Sequence, residues 1–352
     1  MFLRNAWYMA AWAADISTSP VARRICNEPV VIYRDRQGAV GALRDACCHR
    51  GAPLSIGRVT DAGLECGYHG LVFDRSGGCV HIPGQDHIPS KAKVISYPVV
   101  ERDSIVWIWI GDTSAADADS IPSYPFHGDP KWPSKKQTSY PVRANYMLLI
   151  DNLMDLTHVA YVHVSTIGGN PTAHVQAEMD MGTTARGITM TRWLLNSLPP
   201  PTYRKAVPEL PERIDRWQEF EYIAPGVVLQ YTGAVGTTAN ARNGGSREGG
   251  FALRIFHGIT PETETTCYYF WSAANGYRQN EPAATAELFK EIDEAFIEDK
   301  VVVELQQQRL QEFGEDELVQ IRSDRARMSM RRSLAVRLKS ASELAGVATE
   351  KA

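Results

Sequence analysis

The chain of 352 residues is long enough for about two domains. Its 37 basic and 41 acidic residues give a net charge of -4, which excludes a nucleic-acid-binding surface because such a surface requires a basic excess. No apolar run approaches the ~20 residues of a membrane span and no signal-peptide pattern is present, so we predict a cytoplasmic protein without membrane contact. Four of the six cysteines lie between Cys26 and Cys66, and in a reducing compartment such a group indicates metal or redox chemistry.

The first 120 residues have the pattern of β-structure, with short runs of β-branched and aromatic residues separated by turns. These runs lie at residues 29–34, 39–43, 94–97 and 104–110. Residues 112–141 contain five prolines, and we predict a linker there because a helix interior does not tolerate them. We therefore expect one domain over residues 1–120 and a second over residues 121–352.

The second part of the chain mixes helical and strand-like patterns. A helix is predicted over residues 145–162 and a longer one over residues 283–313. Strand-like runs lie between them, at residues 187–194, 227–231, 251–256 and 265–271. The glycine-rich segment 243–250 is a candidate lid. We predict no structure for the polar tail that begins at Gly314.

Two short motifs each combine a cysteine with a histidine. Cys47 and His49 form Cys-x-His, and after sixteen residues Cys66 and His69 form Cys-x-x-His. Two thiolates and two imidazoles presented by two loops are typical of a Rieske [2Fe-2S] cluster. The alternative is a zinc site, but zinc fingers pair cysteine with cysteine and histidine with histidine. The second loop offers no further cysteine for the disulfide of the respiratory Rieske type, so we favour the disulfide-free type.

Other residues of this region have supporting or unassigned roles. Gly51 and Gly70 follow the two cysteines and are expected to let the backbone turn tightly around the cluster. Cys48 has no assigned role and is interpreted as a small buried thiol. The remaining cysteines are interpreted as core residues: Cys26, Cys79 and Cys267.

A second group of potential metal ligands lies in the predicted helix over residues 145–162. Asp155 and His158 are about 60° apart on one helical face, close enough to hydrogen-bond. His163 is about 140° from His158 on a straight helix. The two histidines can therefore converge on one metal ion only if the helix loosens between them.

The long helix over residues 283–313 offers a carboxylate for the same ion. Two histidines and one carboxylate make the facial triad of a non-haem Fe(II) oxygenase. Asp299 falls in the middle of the apolar stripe of this helix, whereas Glu294 and Glu298 fall to one side. A carboxylate on an apolar face requires a partner or a metal, so we predict Asp299 as the third ligand. The alternatives are a buried salt bridge for Asp299 and ordinary core positions for the histidines.

Taken together, the motifs resemble the oxygenase component of the Rieske non-haem iron oxygenases, in the branch of the vanillate and dicamba O-demethylases. The matching segments extend nearly from end to end: residues 4–8, 48–54, 66–71, 151–158, 259–263 and 298–299. The resemblance implies an α+β fold. Its N-terminal part would be an all-β Rieske [2Fe-2S] domain, and its C-terminal part a catalytic domain with an antiparallel sheet flanked by helices.

The resemblance also implies the roles of individual residues. It implies ligands for the cluster and for the mononuclear Fe(II): Cys47, His49, Cys66 and His69 for the former, and His158, His163 and Asp299 for the latter. The family assembles as a head-to-tail homotrimer, in which Asp155 would link His69 of the partner subunit to His158. Asn152 would lie near the iron, and His257 would contact the substrate carboxylate, although the vanillate enzyme differs there. Cys48 occupies a position where the family commonly has proline.

These expectations define a predicted reaction. The chain has no Gly-x-Gly-x-x-Gly motif for a nicotinamide, so a separate reductase would supply electrons from NAD(P)H. We predict an O2-dependent monooxygenase that O-demethylates a methoxylated aromatic acid such as vanillate and releases formaldehyde. One alternative is hydroxylation of a methyl group or ring of another aryl acid or sulfonate. The other is a non-catalytic electron-transfer or zinc-binding protein.

Overall fold

The computed structural model describes residues 1–136, 139–316 and 318–349, with side chains up to residue 341. The chain divides into two compact units. The first comprises Met1–Ser123 and Thr260–Glu264, and the second comprises Tyr124–Ile259 and Thr265–Ala352.

The first unit is built from β-strands, and its described residues form no α-helix. The strands are β1 (Ala6–Trp12), β2 (Val21–Ile25), β3 (Glu28–Arg34), β4 (Val40–Arg44), β5 (Arg58–Thr60), β6 (Gly63–Glu65), β7 (Val72–Phe73), β8 (Cys79–His81), β9 (Val99–Arg102) and β10 (Ile105–Ile110). They pair antiparallel in three small sheets with the orders β1-β10-β9, β2-β3-β4 and β5-β6-β7-β8. The all-β prediction for this part of the chain is confirmed.

The turns between these strands follow from their sequence. A hairpin turn around Gly38 joins β3 to β4, and Gly38 takes the positive φ of +92° that the turn requires. The predicted strand at residues 94–97 is wrong, because this segment makes only an isolated bridge between Ser96 and Leu43. Pro98 follows directly and has no N–H group with which to extend a ladder.

The second unit contains a large antiparallel sheet. Its strands are β11 (Ser134–Lys136), β12 (Tyr140–Val142), β13 (Glu178–Thr183), β14 (Gly187–Ser197), β15 (Ile214–Ile223), β16 (Val227–Gly236), β17 (Phe251–Thr263) and β18 (Thr266–Asn275). Their order is β11-β18-β17-β16-β15-β14-β13, and β12 also pairs with β18. The predicted linker over residues 112–141 therefore ends in two sheet strands. Pro141 excludes a helix, but an edge strand accepts it.

Helices cover this sheet and carry part of the candidate site. They are α1 (Tyr146–Met154), α2 (Val159–Val162), α3 (Pro171–Val175), α4 (Pro201–Ala206), α5 (Pro282–Phe313) and α6 (Arg325–Thr349). The long helix α5 is confirmed. The predicted helix over residues 145–162 is interrupted at Asp155, whose backbone is extended with φ of -129°. This break lies before His158, so the predicted loosening between His158 and His163 is wrong. The stretch between the two histidines is the helical turn α2, which ends at His163.

The prediction that the tail after Gly314 has no structure is wrong. Helix α6 begins at Arg325, and its residues Ala326, Met330 and Leu334 are buried. Their spacing of four places them on one helical face. The helix is also attached to α1, because Arg327 and Arg331 both form ion pairs with Asp151. Among the helices within the described ranges, none combines the length and apolar character of a membrane span.

Candidate functional site

Two loops of the first unit have the same backbone design around a cysteine. Cys47 lies between β4 and β5, and Cys66 lies between β6 and β7. Each cysteine N–H donates to the carbonyl five residues later at 2.8 Å. The glycines four residues after the cysteines, Gly51 and Gly70, donate back to the cysteine carbonyls at 2.8 and 3.0 Å. Both glycines have positive φ, +71° and +74°, as the predicted tight turns require.

The four predicted cluster ligands lie together at these loops. The side chains of Cys47 and Cys66 are buried and in mutual contact, whereas His49 and His69 are exposed with ring centroids 4.5 Å apart. Burial raises the pKa of the Cys47 thiol to about 11, so its thiolate form depends on a bound metal. Two inner sulfurs and two outer imidazoles are the donor set of a Rieske [2Fe-2S] cluster, and these residues fit that group.

The other four cysteines differ in their exposure to solvent. Cys26 and Cys267 are buried as predicted, and Cys79 is half-buried. The interpretation of Cys48 as a buried thiol is wrong, because its side chain is exposed. The adjacent Cys47 takes the inward position in this loop, which leaves Cys48 on the solvent side.

In the second unit, the predicted iron ligands converge. Asp299 Oδ1 lies 3.4 Å from His158 Nε2 and 3.2 Å from His163 Nε2. One ligand atom from each residue lies within 4.8 Å of the others. His158 and His163 flank α2, and Asp299 projects from α5 with only 4% of its surface exposed. Two imidazole nitrogens and one carboxylate oxygen at this spacing fit a single Fe(II) ion.

Hydrogen bonds to the outer ring nitrogens orient both histidines. His158 Nδ1 donates to the backbone carbonyl of Asp155 at 2.6 Å, and His163 Nδ1 contacts Glu298 Oε2 at 2.7 Å. Each Nε2 is thereby turned toward the shared site. The predicted contact of Asp155 with His158 thus forms through the backbone and not the carboxylate. The contact between Glu298 and His163 was not predicted from the sequence. A side chain that lies to one side of the apolar stripe of α5 can still reach a histidine ring on a neighbouring segment.

The charges at this site depend on one another. Burial alone would raise the pKa of Asp299, but hydrogen bonds and charge from His158 and His163 outweigh it and lower that pKa below its usual value. Burial would likewise lower the pKa of His163, but Asp299 and Glu298 raise it overall. An ionised carboxylate between two imidazoles attracts a cation.

Asn152 links this group to the adjacent cavity. Its Nδ2 donates to Asp299 Oδ1 at 3.0 Å. Its Oδ1 is buried and has no hydrogen-bond partner among the described residues. A buried acceptor without a partner is costly, so this oxygen marks a place for a further polar group beside the three ligands.

A cavity opens next to the three ligands and continues toward the sheet. Its empty volume is about 530 Å³, including the open mouth. Apolar side chains form most of its wall, among them Leu156, Ile255 and Phe296. Polar groups lie on the strands of the sheet: Arg216, Gln218, Gln230 and Thr232. An apolar cavity with a few polar groups and adjacent metal ligands has the properties of a small-molecule site.

His257 does not line this cavity, although its neighbour Gln230 does. The ring is fully buried, with Nδ1 2.8 Å from the Tyr269 hydroxyl and Nε2 3.0 Å from Gln230 Oε1. Burial lowers the pKa of His257 to about 3, so the ring is neutral. In this arrangement, an influence of His257 on a ligand would pass through Gln230.

Comparisons with known proteins agree with both sites. Residues 6–98 match the Rieske [2Fe-2S] domain, and residues 142–340 match the vanillate O-demethylase oxygenase C-terminal domain. The chain is 40% identical to the toluene-4-sulfonate monooxygenase system iron-sulfur subunit of Comamonas testosteroni, over 92% of this chain and 93% of that protein. It is 36% identical to the dicamba O-demethylase oxygenase component of Stenotrophomonas maltophilia, over 88% and 89%. The crystal structure of dicamba monooxygenase bound to 3,6-dichlorosalicylic acid superposes with a TM-score of 0.89 at 32% identity, covering 98% of this chain and 99% of that one.

These two domains and their donor sets define an oxygenase that combines a Rieske cluster with mononuclear iron. The chain belongs to the Rieske non-haem iron oxygenase family, in the branch of the vanillate and dicamba O-demethylases. Its cofactors are a [2Fe-2S] cluster and a mononuclear iron ion. The cluster, and not zinc, is therefore the metal group of the first unit, and the interpretation as a non-catalytic protein is excluded.

Proposed function

We propose that this chain is the terminal oxygenase component of a multicomponent monooxygenase and O-demethylates a methoxylated aromatic acid such as vanillate. The observation that carries the proposal is that His158, His163 and Asp299 converge at one end of a mostly apolar cavity. Relatives named as vanillate and dicamba O-demethylases, 36% identical over most of their length, support this choice of reaction.

The proposed reaction balances with one external reductant. One oxygen atom of O2 enters a methyl C–H bond, and the resulting hemiacetal breaks its C–O bond to give a phenol and formaldehyde. The other oxygen atom leaves as water, and two electrons and two protons complete the balance. A separate reductase takes the electrons from NAD(P)H. When bound, the cluster transfers electrons singly and the iron activates O2.

The residues of the chain hold and orient these groups. We assign Cys47, His49, Cys66 and His69 to the cluster within a Rieske domain at residues 1–120. His158, His163 and Asp299 are assigned to the iron within a catalytic domain at residues 121–352. Glu298 and the Asp155 carbonyl fix the rotation of the iron histidines. Asn152 supplies its free Oδ1 as a hydrogen-bond acceptor beside the iron.

The electrons would cross between subunits of a cytoplasmic homotrimer. In this proposal, the Asp155 carboxylate connects His69 of the partner subunit to His158. Within the chain, Oδ1 of Asp155 accepts from the Thr157 N–H and hydroxyl at 3.0 and 2.7 Å. Among the side chains that the structure describes, its Oδ2 has only a 3.3 Å contact with the Ser323 hydroxyl, which leaves it available for a stronger donor.

A second candidate reaction is hydroxylation of the methyl group of an aryl sulfonate or other aryl acid. The 40% identity to the toluene-4-sulfonate monooxygenase subunit favours it. The same two-electron balance applies, but the product is a benzylic alcohol and no formaldehyde is released.

Turnover with a reductase and NADH distinguishes the two reactions. The substrates are vanillate, other methoxybenzoates and toluene-4-sulfonate, and formaldehyde, alcohol and O2 consumption are measured together. O-demethylation predicts one formaldehyde for each O2 consumed with the methoxy acids. Alcohol from toluene-4-sulfonate without formaldehyde from any methoxy acid would select the second reaction. O2 consumption with neither product would contradict both.

A further inference from the structure

Arg216 on β15 is a buried arginine that has no ion-pair partner among the described side chains. It is 2% exposed and lines the cavity, yet no carboxylate of the described residues lies within ion-pair distance of it. Its Nε has no hydrogen-bond partner among those residues, and the rest of the guanidinium has a weak 3.5 Å contact with the Ile167 carbonyl and a hydrogen bond with the Tyr203 side chain. Its guanidinium carbon also lies 4.7 Å from the centre of the Tyr203 ring. A buried charge with so few partners is costly.

The surroundings of Arg216 add positive charge instead of neutralising it. Arg192 on β14 is also buried, and it donates only to Gln218 Oε1 and the His174 carbonyl. Burial and the charge of Arg216 lower the pKa of His174 to about 4, so that ring is neutral. Asp155 acts on Arg192 only through space, with no direct ion pair among the described side chains.

The distribution of charge along the cavity wall is polarised. Among its described lining residues, Arg216 is the one arginine or lysine and Asp299 is the one carboxylate, while the two histidines of the lining, His158 and His163, face Asp299. Asp299 is committed to the iron histidines, so it cannot neutralise Arg216 as well. Gln218, Gln230 and Thr232 are neutral hydrogen-bonding groups on the same wall.

We propose that Arg216 binds the oxyanion of the substrate and thereby restricts the enzyme to aromatic acids. This inference rests on the proposed oxygenase function and specifies its substrate class as an aryl carboxylate or aryl sulfonate. A guanidinium donates two parallel N–H bonds, which match two oxygens of either anion. The apolar wall, with Phe220 and Ile255, holds the ring, and the oxidised methyl group points toward the iron ligands.

This arrangement predicts rejection of neutral analogues. An analogue without the anion leaves the buried guanidinium unpaired, and the cost of desolvating it is then not recovered. We expect the enzyme to bind vanillate about 100-fold more tightly than vanillamide, and toluene-4-sulfonate about 100-fold more tightly than toluene-4-sulfonamide. The pair with the larger ratio identifies which oxyanion the site prefers.

The test uses anaerobic calorimetry with the enzyme that contains both metals. Arg216→Met should weaken binding of the preferred acid about 100-fold and change binding of its amide by less than about threefold. Arg216→Lys keeps the charge but loses the two-pronged geometry, so an intermediate loss of about tenfold is expected. The matched control is Arg186→Met, which removes an arginine whose partner Glu221 is 3.2 Å away and which does not line the cavity. It should leave all four affinities unchanged.

Three outcomes would overturn the proposal. They are equal binding of acid and amide by the wild type, unchanged acid binding in Arg216→Met, and equal loss of acid and amide binding in the Lys variant. The first comparison needs no variant, so it decides the question even if Arg216→Met does not fold. Arg216-dependent binding of the acids without oxidised product in the reductase assay would instead refute the proposed function and leave the anion site standing.

Discussion

The two metal sites of this chain differ in exposure and in the way their ligands are brought together. The proposed cluster ligands come from two loops of similar design between residues 47 and 69, and their histidines are exposed. The proposed iron ligands come from the segment around α2 and from α5, which are distant in sequence, and Asp299 and His163 are almost fully buried.

This difference corresponds to the chemistry of each group. An electron carrier needs one edge near the surface, and the exposed His49 and His69 provide it. A site that activates O2 needs exclusion of water and a restricted approach for the substrate, which burial of Asp299 provides. The first site depends on local turns and the second on the packing of helices. Each can therefore be removed without the other.

The largest expected effect is the loss of one metal alone. In Asp299→Ala, two imidazoles remain without their carboxylate, so the mononuclear iron should be lost and turnover should stop. The visible absorption and sulfide content of the cluster should not change. The measurements are iron and sulfide per chain.

The control for this variant is Glu294→Ala, which alters an exposed carboxylate on the same helix. It should retain all of the iron. If Asp299→Ala also kept the full iron content, the third ligand would have to be another residue.

In Asp155→Asn, both metals should stay bound, but electrons should pass much less efficiently from the cluster to the iron. The amide oxygen can still accept from Thr157, so the turn persists, but the negative charge proposed to connect the subunits is lost. We expect coupled turnover to fall by about 100-fold, the upper end of the effect of losing an outer contact of a metal site. Product per NADH and the metal content are measured together.

Ser323→Ala is the control for Asp155→Asn, because it removes only the 3.3 Å contact with Asp155 Oδ2. Turnover in this control should stay close to that of the wild type. Full activity in Asp155→Asn would exclude the bridging role.

A smaller effect is expected from Glu298→Gln. Glu298 is a positioning residue, since its carboxylate contacts His163 Nδ1 at 2.7 Å and is not one of the three groups that converge at the proposed iron site. Gln keeps the shape but removes the charge that makes the imidazole a stronger donor to the metal, so iron affinity should fall about 10-fold to 100-fold. Iron binding is measured by competition with a chelator, with Glu294→Gln as the matched control. Equal affinity in both variants would assign Glu298 a purely structural role.

The sequence predicts most of what depends on local pattern. The positions of Cys47 and Cys66 follow from a short motif, and the buried position of Asp299 follows from helical periodicity. The interruption at Asp155 does not follow in this way, because the helical angle between His158 and His163 predicted a break between them, and that stretch is helical.

Features that depend on the sheet and on distant packing could not be predicted in this way. Arg216 and Gln230 reach the cavity because β15 pairs with β16 in one particular register. That register cannot be derived from the sequence of one strand alone. Helix α6 was missed because its many charges resemble a polar tail. Its partner Asp151 lies far away in the sequence.

The smallest expected effect concerns this attachment of α6 to the iron-site helix. Arg331 forms two hydrogen bonds with Asp151 through Nε at 3.0 Å and one through Nη2 at 2.5 Å. Arg331→Met should lower the free energy of unfolding of the second unit by about 1–2 kcal/mol. The expected loss of stability is smaller than for a fully buried ion pair, because Arg331 is 32% exposed and Arg327 still forms an ion pair with Asp151.

Urea denaturation followed by circular dichroism measures this change, and Arg332→Met is the control because Arg332 is exposed on the same helix. If Arg331 holds α1 in place through Asp151, the variant should also bind iron more weakly, since Asn152 follows Asp151 and contacts Asp299. The cluster absorption should be unaffected, because no residue of the loops at 47–69 takes part in this contact. Equal stability of the two variants would show that α6 covers the second unit without supporting its iron site.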